Sequence, residues 1–445
     1  MSHEVIFRKY RRGDEEGIVK VLRTCFPYYE KFGVDADYWL SYSRVDPGIR
    51  NGDSFVAEQD GEIVGNVQLL GRRIKVADSS FVSAGCIANV CTIPEMRGKG
   101  ISTRLMSDAL EACRQLGYPI SCLFTDYGSA AQRIYGRLGY ANTLMCETRY
   151  VGSAIDMQRV RERYENAGEV TVRNYEKGDE KGMLDVYREW IGSYTGVVER
   201  SSEYWQSKMV ERSFSNTFFY EEFDPNEVFV GLKNGKVVSY ACVTYWKNKH
   251  KPFRGRDDVS IRELVFSPDN NGSAAMLVGA LMDRFLSEGA KLCEADLPMD
   301  EPYLSLLDPF KRMPLPGWSE GHLYMTHVTL LRELLEGIRG DLESRLSVTS
   351  SSRSDVVLAL RTPYGEVMLR TKGGELSLDD GKPSSEVAFD ADSFAKMIFG
   401  VETIETALRG GGVKIITSEP LSKIVSVLLA LFPRRTWYTS PIDAW

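Results

Sequence analysis

The stretch VCTIPEMRGKGISTRLMSDALEAC, residues 90–113, decides how the chain is read. Small and β-branched residues run up to Pro94 as a strand would, and from Ser102 onward apolar residues recur at helical spacing. Between them stands Arg97-Gly98-Lys99-Gly100. Glycines let backbone approach a ligand closely, and the orphan N–H groups of a helix N-terminus attract anions. With two cations beside them, pyrophosphate is the natural guest. A P-loop would need G-x-x-x-x-G-K-[ST], and that spacing is absent. A dinucleotide fingerprint, G-x-G-x-x-G, finds Gly98 and Gly100 but has Thr103 in third place, and no βαβ unit is expected around it. A surface turn with incidental charge is the plain alternative.

Working outward, the chain repeats itself. VIFRKYRRGDEEG from Val5 and VTVRNYEKGDEKG from Val170 share seven of thirteen residues at an offset of 165. Each reads as a short strand, a turn, and a helix whose acidic first turn suits the macrodipole. DADYW (35–39) matches SSEYW (201–205), and the hairpin around Asp60-Gly61 matches that around Asn234-Gly235. In both copies a strand ending in proline, at Pro94 and Pro268, precedes a long amphipathic helix. A duplicated domain of about 150 residues is expected. Aligning the prolines replaces Arg97 with Asn271, Lys99 with Ser273 and Gly100 with Ala274, so the second copy is expected to hold no coenzyme.

Past about residue 326 the repeat ends. VTLLRELLEGIRGDLESRL reads as helical, SVTSSSRSD as a hairpin turn, VVLALRT and GEVMLRT as strands, and DADSFAKMIFG as a helix. The expected segments are 1–155, 156–325 and 326–445.

A net charge of −7 argues against a nucleic-acid partner. The longest apolar run, IVSVLLALF from Ile424, is too short for a bilayer, and the opening residues show no signal-peptide core, so a cytoplasmic protein without membrane contact is expected. Cys25, Cys86, Cys91, Cys113, Cys122, Cys146, Cys242 and Cys293 form no C-x-x-C pair and read as reduced thiols. His3, His250, His322 and His327 show no metal-ligand spacing, so no metal is expected.

Strand, proline, Arg-Gly-Lys-Gly, helix, strand ISCLF and then RIYGRLGYANT together resemble the GNAT N-acetyltransferase superfamily over residues 1 to about 150. Residues 97–102 resemble its Q/R-x-x-G-x-G/A loop, with Ser102 in the final small position, and Tyr135 to Tyr140 resemble its Y-x-x-x-G-[FY] signature. The whole chain resembles the Eis-like (enhanced intracellular survival) acetyltransferases. That resemblance implies an α+β fold: two tandem GNAT folds with mixed sheets, the second degenerate, then a sterol-carrier-protein-like domain.

The resemblance also implies chemistry. Acetyl-CoA would be the co-substrate, its pyrophosphate held by Arg97, Gly98, Lys99, Gly100, Ile101, Ser102 and Thr103. Val90, Cys91 and Thr92 would hold pantetheine and polarise the carbonyl, with Cys91 a packing residue rather than a nucleophile. Tyr135 would be the proton donor, and the C-terminal carboxylate of Trp445 the proton acceptor. Asp35 and Trp39, in the aromatic and acidic stretch FPYYEKFGVDADYW with Glu30, Tyr28, Tyr29 and Asp37, would contact an amine acceptor that is polyamine-like, aminoglycoside-like or a lysine side chain. A homo-oligomer, trimer or hexamer, follows from the same resemblance. The alternatives are a long-chain N-acyltransferase and a non-catalytic lipid-binding protein.

Overall fold

The computed structural model describes residues 4–31, 33–50, 53–145, 148–165, 168–206, 224–246, 257–314, 323–349, 355–378, 381–443 and 445. His3, Cys146, His250, His322 and most of the serine cluster lie outside these residues. The chain forms two compact units. One comprises Met1–Pro27, Gly48–Cys146 and Trp318–Trp437; the other comprises Tyr28–Pro47, Glu147–Gly317 and Tyr438–Trp445.

The first unit carries a seven-stranded mixed sheet in the order Ile6–Lys9, Phe55–Gln59, Glu62–Lys75, Phe81–Thr92, Ile120–Thr125, Leu323–Val328, Ala141–Met145. Among these strands one pair is parallel, Phe81–Thr92 with Ile120–Thr125, joined through helix Ile101–Gln115, so that a βαβ unit does surround the glycine turn, against the expectation. The pair's register covers only Ala84↔Ile120 to Cys86↔Cys122. Beyond Cys86 the strand leaves that neighbour. Helix Ile101–Gln115 buries Ile101, Leu105, Met106, Ala109, Leu110, Ala112 and Cys113, the stripe that its sequence period predicts. They join strand residues Val64, Val67, Leu69, Ile87 and Leu123 in one core with Tyr135 and Tyr140.

The same unit holds a five-stranded sheet in the order Glu375–Ser377, Gly365–Lys372, Val356–Thr362, Ser385–Phe389, Val413–Thr417. Asp392, on helix Ala391–Ile398, ties it to the first sheet by accepting the Asn142 backbone N–H at 2.8 Å. The segment expected as one helix after 326 is two, Leu331–Gly337 and Arg339–Ser347, which part at Ile338 (φ −110°).

The second unit repeats the first sheet's order with Thr171–Asn174, Val228–Lys233, Lys236–Tyr245, Asp258–Phe266, Leu292–Ala295, Thr148–Ser153 and Lys311–Pro314. Thr148–Ser153, expected with the first copy, therefore pairs in the second sheet, and residues 323–325, expected with the second, pair in the first. The inner position of the first sheet needs a strand without a solvent face. Leu323–Val328 is buried at all of its positions and meets that need.

The repeated residues make repeated contacts. Arg8 and Arg173 each donate to the aspartate six residues on, Asp14 and Asp179, at 2.7 Å. Tyr10 and Tyr175 each donate to the following glutamate, Glu15 and Glu180. These acids fasten strand to helix start, a more specific task than complementing the macrodipole. Both hairpins turn as read, with positive φ at Asp60 and Gly61 and at Asn234 and Gly235, the type I′ requirement.

Candidate active site

The site in the first unit begins where Phe81–Thr92 ends. A short 3₁₀ turn, Pro94–Met96, leads to Gly98 and Gly100, both at φ +77°. Only glycine adopts that conformation without strain, and a Cβ at either would meet open space. Among the described residues the backbone N–H groups of 98–103 donate no hydrogen bond, the first intrahelical bond being Arg104 N–H to Gly100 O at 3.0 Å. A row of unsatisfied amides thus faces an open surface beside exposed Arg97 and Lys99. Such a row of amides is of the kind that can hold an anion.

Ser102 stands where the loop pattern expects glycine or alanine. Its hydroxyl lies 2.8 Å from Thr92 Oγ1, so the extra atom ties the helix start to the strand end. Arg97 Nε donates to Thr92 O at 3.3 Å, and Lys99 Nζ approaches Met96 Sδ at 3.1 Å.

Sequence reading missed a bulge. Asn66 pairs with Cys91 and Gln68 with Ala88, so Asn89 and Val90 together oppose one residue. Asn89 has φ +53°, which asparagine tolerates better than most side chains. Its Nδ2 donates to Gln68 Oε1 at 2.7 Å, and Asn66 Nδ2 donates to Asn89 O at 3.0 Å. Buried Asn66 and Gln68 therefore fix the twist at which Val90–Thr92 departs from Ile120–Thr125. The signal was available: an asparagine inside the apolar CIANVCT has no packing reason to be there.

Cys91 is buried, and its thiol is pushed well up by burial. It is a packing residue in an inert state. Half-buried Cys25 donates to Thr92 O at 3.3 Å. Its thiol is drawn below the ordinary range, chiefly by a hydrogen bond from Cys91, with Arg97 helping and burial opposing. Arg97→Ala is therefore expected to slow Cys25 alkylation by iodoacetamide at pH 6.5 several-fold and to have little effect at pH 9, where Cys25 reacts as thiolate with or without Arg97. Peptide mass spectrometry reads this, and equal rates at pH 6.5 would refute the Arg97 contribution.

Tyr135 sits on helix Ala130–Arg137, which Ser129 caps through Gln132 N–H. Its ring is buried 6.0 Å from that of Tyr140, and burial raises its phenol pKa further above the ordinary value. Tyr140 OH is engaged with Ser121 Oγ at 2.7 Å, a structural bond; Tyr127 is exposed.

The second unit holds the remaining expected residues. Asp35 accepts the Tyr38 N–H at 2.7 Å and so caps helix Ala36–Val45. Trp39 is buried. Tyr28 and Tyr29 stack at 4.8 Å. Trp445 is half-buried at the end of the tail. In the second copy's turn, Ser273 and Ala274 are buried, and Ser273 N–H donates to Asn270 O at 2.9 Å. Among the described residues no cluster of three or more metal-type ligands occurs, and no helix is long and apolar enough to cross a membrane.

Residues 7–143 match the family model described as acetyltransferase (GNAT) domain. This segment is a GNAT acetyltransferase domain. The chain is accordingly an acyltransferase. Solved structures similar to the whole chain include a GCN5-related N-acetyltransferase from Kribbella flavida, with TM-score 0.68, 17% identity, and 100% of this chain and 99% of that one covered. Another, from Anabaena variabilis ATCC 29413, has TM-score 0.71 and 15% identity over 99% and 100%. Eis1 from Mycobacterium abscessus has TM-score 0.62 and 16% identity over 99% and 100%. At these identities the likeness is one of fold. No curated protein matches the sequence. The GNAT domain's matched residues contain the glycine turn, the bulged strand and Tyr135.

Proposed function

We propose that the protein is an acetyl-CoA-dependent N-acetyltransferase of Eis-like organisation, acting on amines of a cationic, polyamine-like small molecule or on a lysine side chain. One observation carries the reading: the unsatisfied amide row of residues 98–103 follows directly on a strand that splays from its parallel neighbour. Phosphate needs the first feature, and an extended thioester arm the second. Residues 1–155 are read as the catalytic domain, 156–325 as a degenerate second GNAT domain, and 326–445 as a sterol-carrier-like domain. The protein is cytoplasmic and a homo-oligomer in this reading.

The amine nitrogen attacks the thioester carbonyl carbon, the C–S bond breaks, and the sulfur leaves with its electron pair. Backbone N–H groups around Val90–Thr92 stabilise charge on the carbonyl oxygen. Tyr135 donates a proton to the departing sulfur, and burial keeps its phenol protonated through the neutral range. The α-carboxylate of Trp445 accepts the proton that the amine loses, and Asp35 and Trp39 contact the acceptor.

Tyr135→Phe is expected to lower kcat about 100-fold while KM for acetyl-CoA stays unchanged. A stopped-flow thiol-release assay measures this; unchanged kcat would remove the role. The reading as a whole is tested by thiol release from acetyl-CoA against polyamines, aminoglycosides and lysine peptides, with mass analysis of the product. No acceptor-dependent release from any of them would refute it.

A further inference from the structure

The second unit's sheet opens as the first one does. Strand Asp258–Phe266 runs parallel to Leu292–Ala295 only from Asp258↔Leu292 to Ile261↔Ala295. Aligning Pro268 with Pro94 sets Glu263 at the place of Asn89 and Leu264 at that of Val90. The register agrees, since Tyr240 pairs with Val265 as Asn66 pairs with Cys91. The strand segment that in the first copy adjoins the coenzyme cradle is therefore present in the second, without the cradle.

The chain's own tail holds on to both arms of that opening. Tyr438 OH donates to Asp296 O at 2.9 Å, and Ser440 Oγ donates to Glu263 Oε1 at 2.7 Å. At the bottom lie three charges with side chains 0% exposed: Arg200, Glu263 and Asp443. Arg200 grips Glu263 bidentately, through Nη2 at 2.6 Å and Nη1 at 2.9 Å, and reaches Asp443 Oδ2 at 2.9 Å. Tyr204 OH donates to Asp443 Oδ1 at 3.0 Å, and Tyr240 OH to Glu263 Oε2 at 2.8 Å. The guanidinium lies 4.0 Å from the Tyr187 ring.

Such a cluster is a poor way to gain stability, because well-packed apolar side chains of like volume do as well or better. What a planar, bidentate ion pair adds is a fixed direction. Asp443 is two residues from the chain's last carboxylate. We propose that the second copy retains its splayed strands as a socket for the C-terminus. Arg200, held by Glu263, acts there as a positioning residue that fixes, through Asp443, where the Trp445 carboxylate lies. The inference rests on the reading of that carboxylate as proton acceptor.

The test uses the full-length protein. Asp443→Asn is expected to lower kcat about 30-fold, to leave acetyl-CoA Kd within about 2-fold, and to speed release of Trp445 by carboxypeptidase; Asp443→Glu recovers part of the kcat. Should Asp443→Asn fail to fold, Tyr204→Phe removes one bond to the same carboxylate and is expected to show the same split at about 5-fold. A folded variant with unchanged kcat, in a protein whose turnover is abolished by C-terminal amidation, overturns the socket and leaves the acceptor assignment standing. Full turnover after amidation overturns both.

Discussion

Gly100→Asp is expected to abolish acetyl-CoA binding, with at least a 100-fold loss of affinity by calorimetry in a protein that still folds. Gly100 is the residue before helix Ile101–Gln115, at φ +77°, and the space beside it is open. A side chain there costs about 1–2 kcal/mol of backbone strain and touches nothing. The aspartate, however, puts a carboxylate among the amides that would hold a diphosphate. Two like charges about 4 Å apart repel by about 4 kcal/mol at the effective dielectric of a protein surface, which exceeds the 2.7 kcal/mol of a 100-fold change. Gly100→Ala separates the causes, since it carries the strain without the charge. It is expected to lower the melting temperature much as the aspartate does while keeping most of the affinity. Tight binding by the folded aspartate variant would show that the amide row is not the diphosphate site.

Local chemistry made much of this readable. The hairpins announced themselves by Asp60-Gly61 and Asn234-Gly235, because two successive positive φ values leave few residue choices. The glycine turn announced itself because an open loop has no packing reason to carry Arg97-Gly98-Lys99-Gly100. Arg8 and Asp14 recur as Arg173 and Asp179 because each pair closes one strand onto one helix. What escaped was set by partners far away in the chain. Nothing in LYMTHV says that it will pair with residues 120–125, some 200 positions earlier, rather than with the nearer second copy. The bulge at Asn89 depends on Asn66 and Gln68, which are 23 and 21 residues away. Arg200 lies 63 residues from Glu263 and 243 from Asp443. Glu263 left a trace, as an acid directly before the apolar run LVF, since a buried charge demands a partner without naming it.

Extending the chain beyond Trp445 is expected to lower kcat by about 100- to 1,000-fold while acetyl-CoA affinity stays within about 2-fold. The extension converts the terminal carboxylate into an amide, which is no base. General-base assistance is worth about 100- to 10,000-fold, and an amine that binds as ammonium must lose its proton to react. Deleting Trp445 keeps a carboxylate but sets it back by one residue, about 3.3–3.6 Å along an extended chain. Misplacement by 1 Å can itself cost about 100-fold, so the deletion should be nearly as inactive as the extension. Trp445→Ala keeps the carboxylate in register and removes only the indole, and it should keep most of its activity. The order native, Trp445→Ala, deletion, extension therefore separates a carboxylate's position from a side chain's packing. The affinity measurement holds the comparison to chemistry, since the amide row belongs to the first unit and the tail to the second. Full turnover in the extended protein would leave the amine's proton without this acceptor, and the assignment of Trp445 would fall while that of residues 98–103 stood.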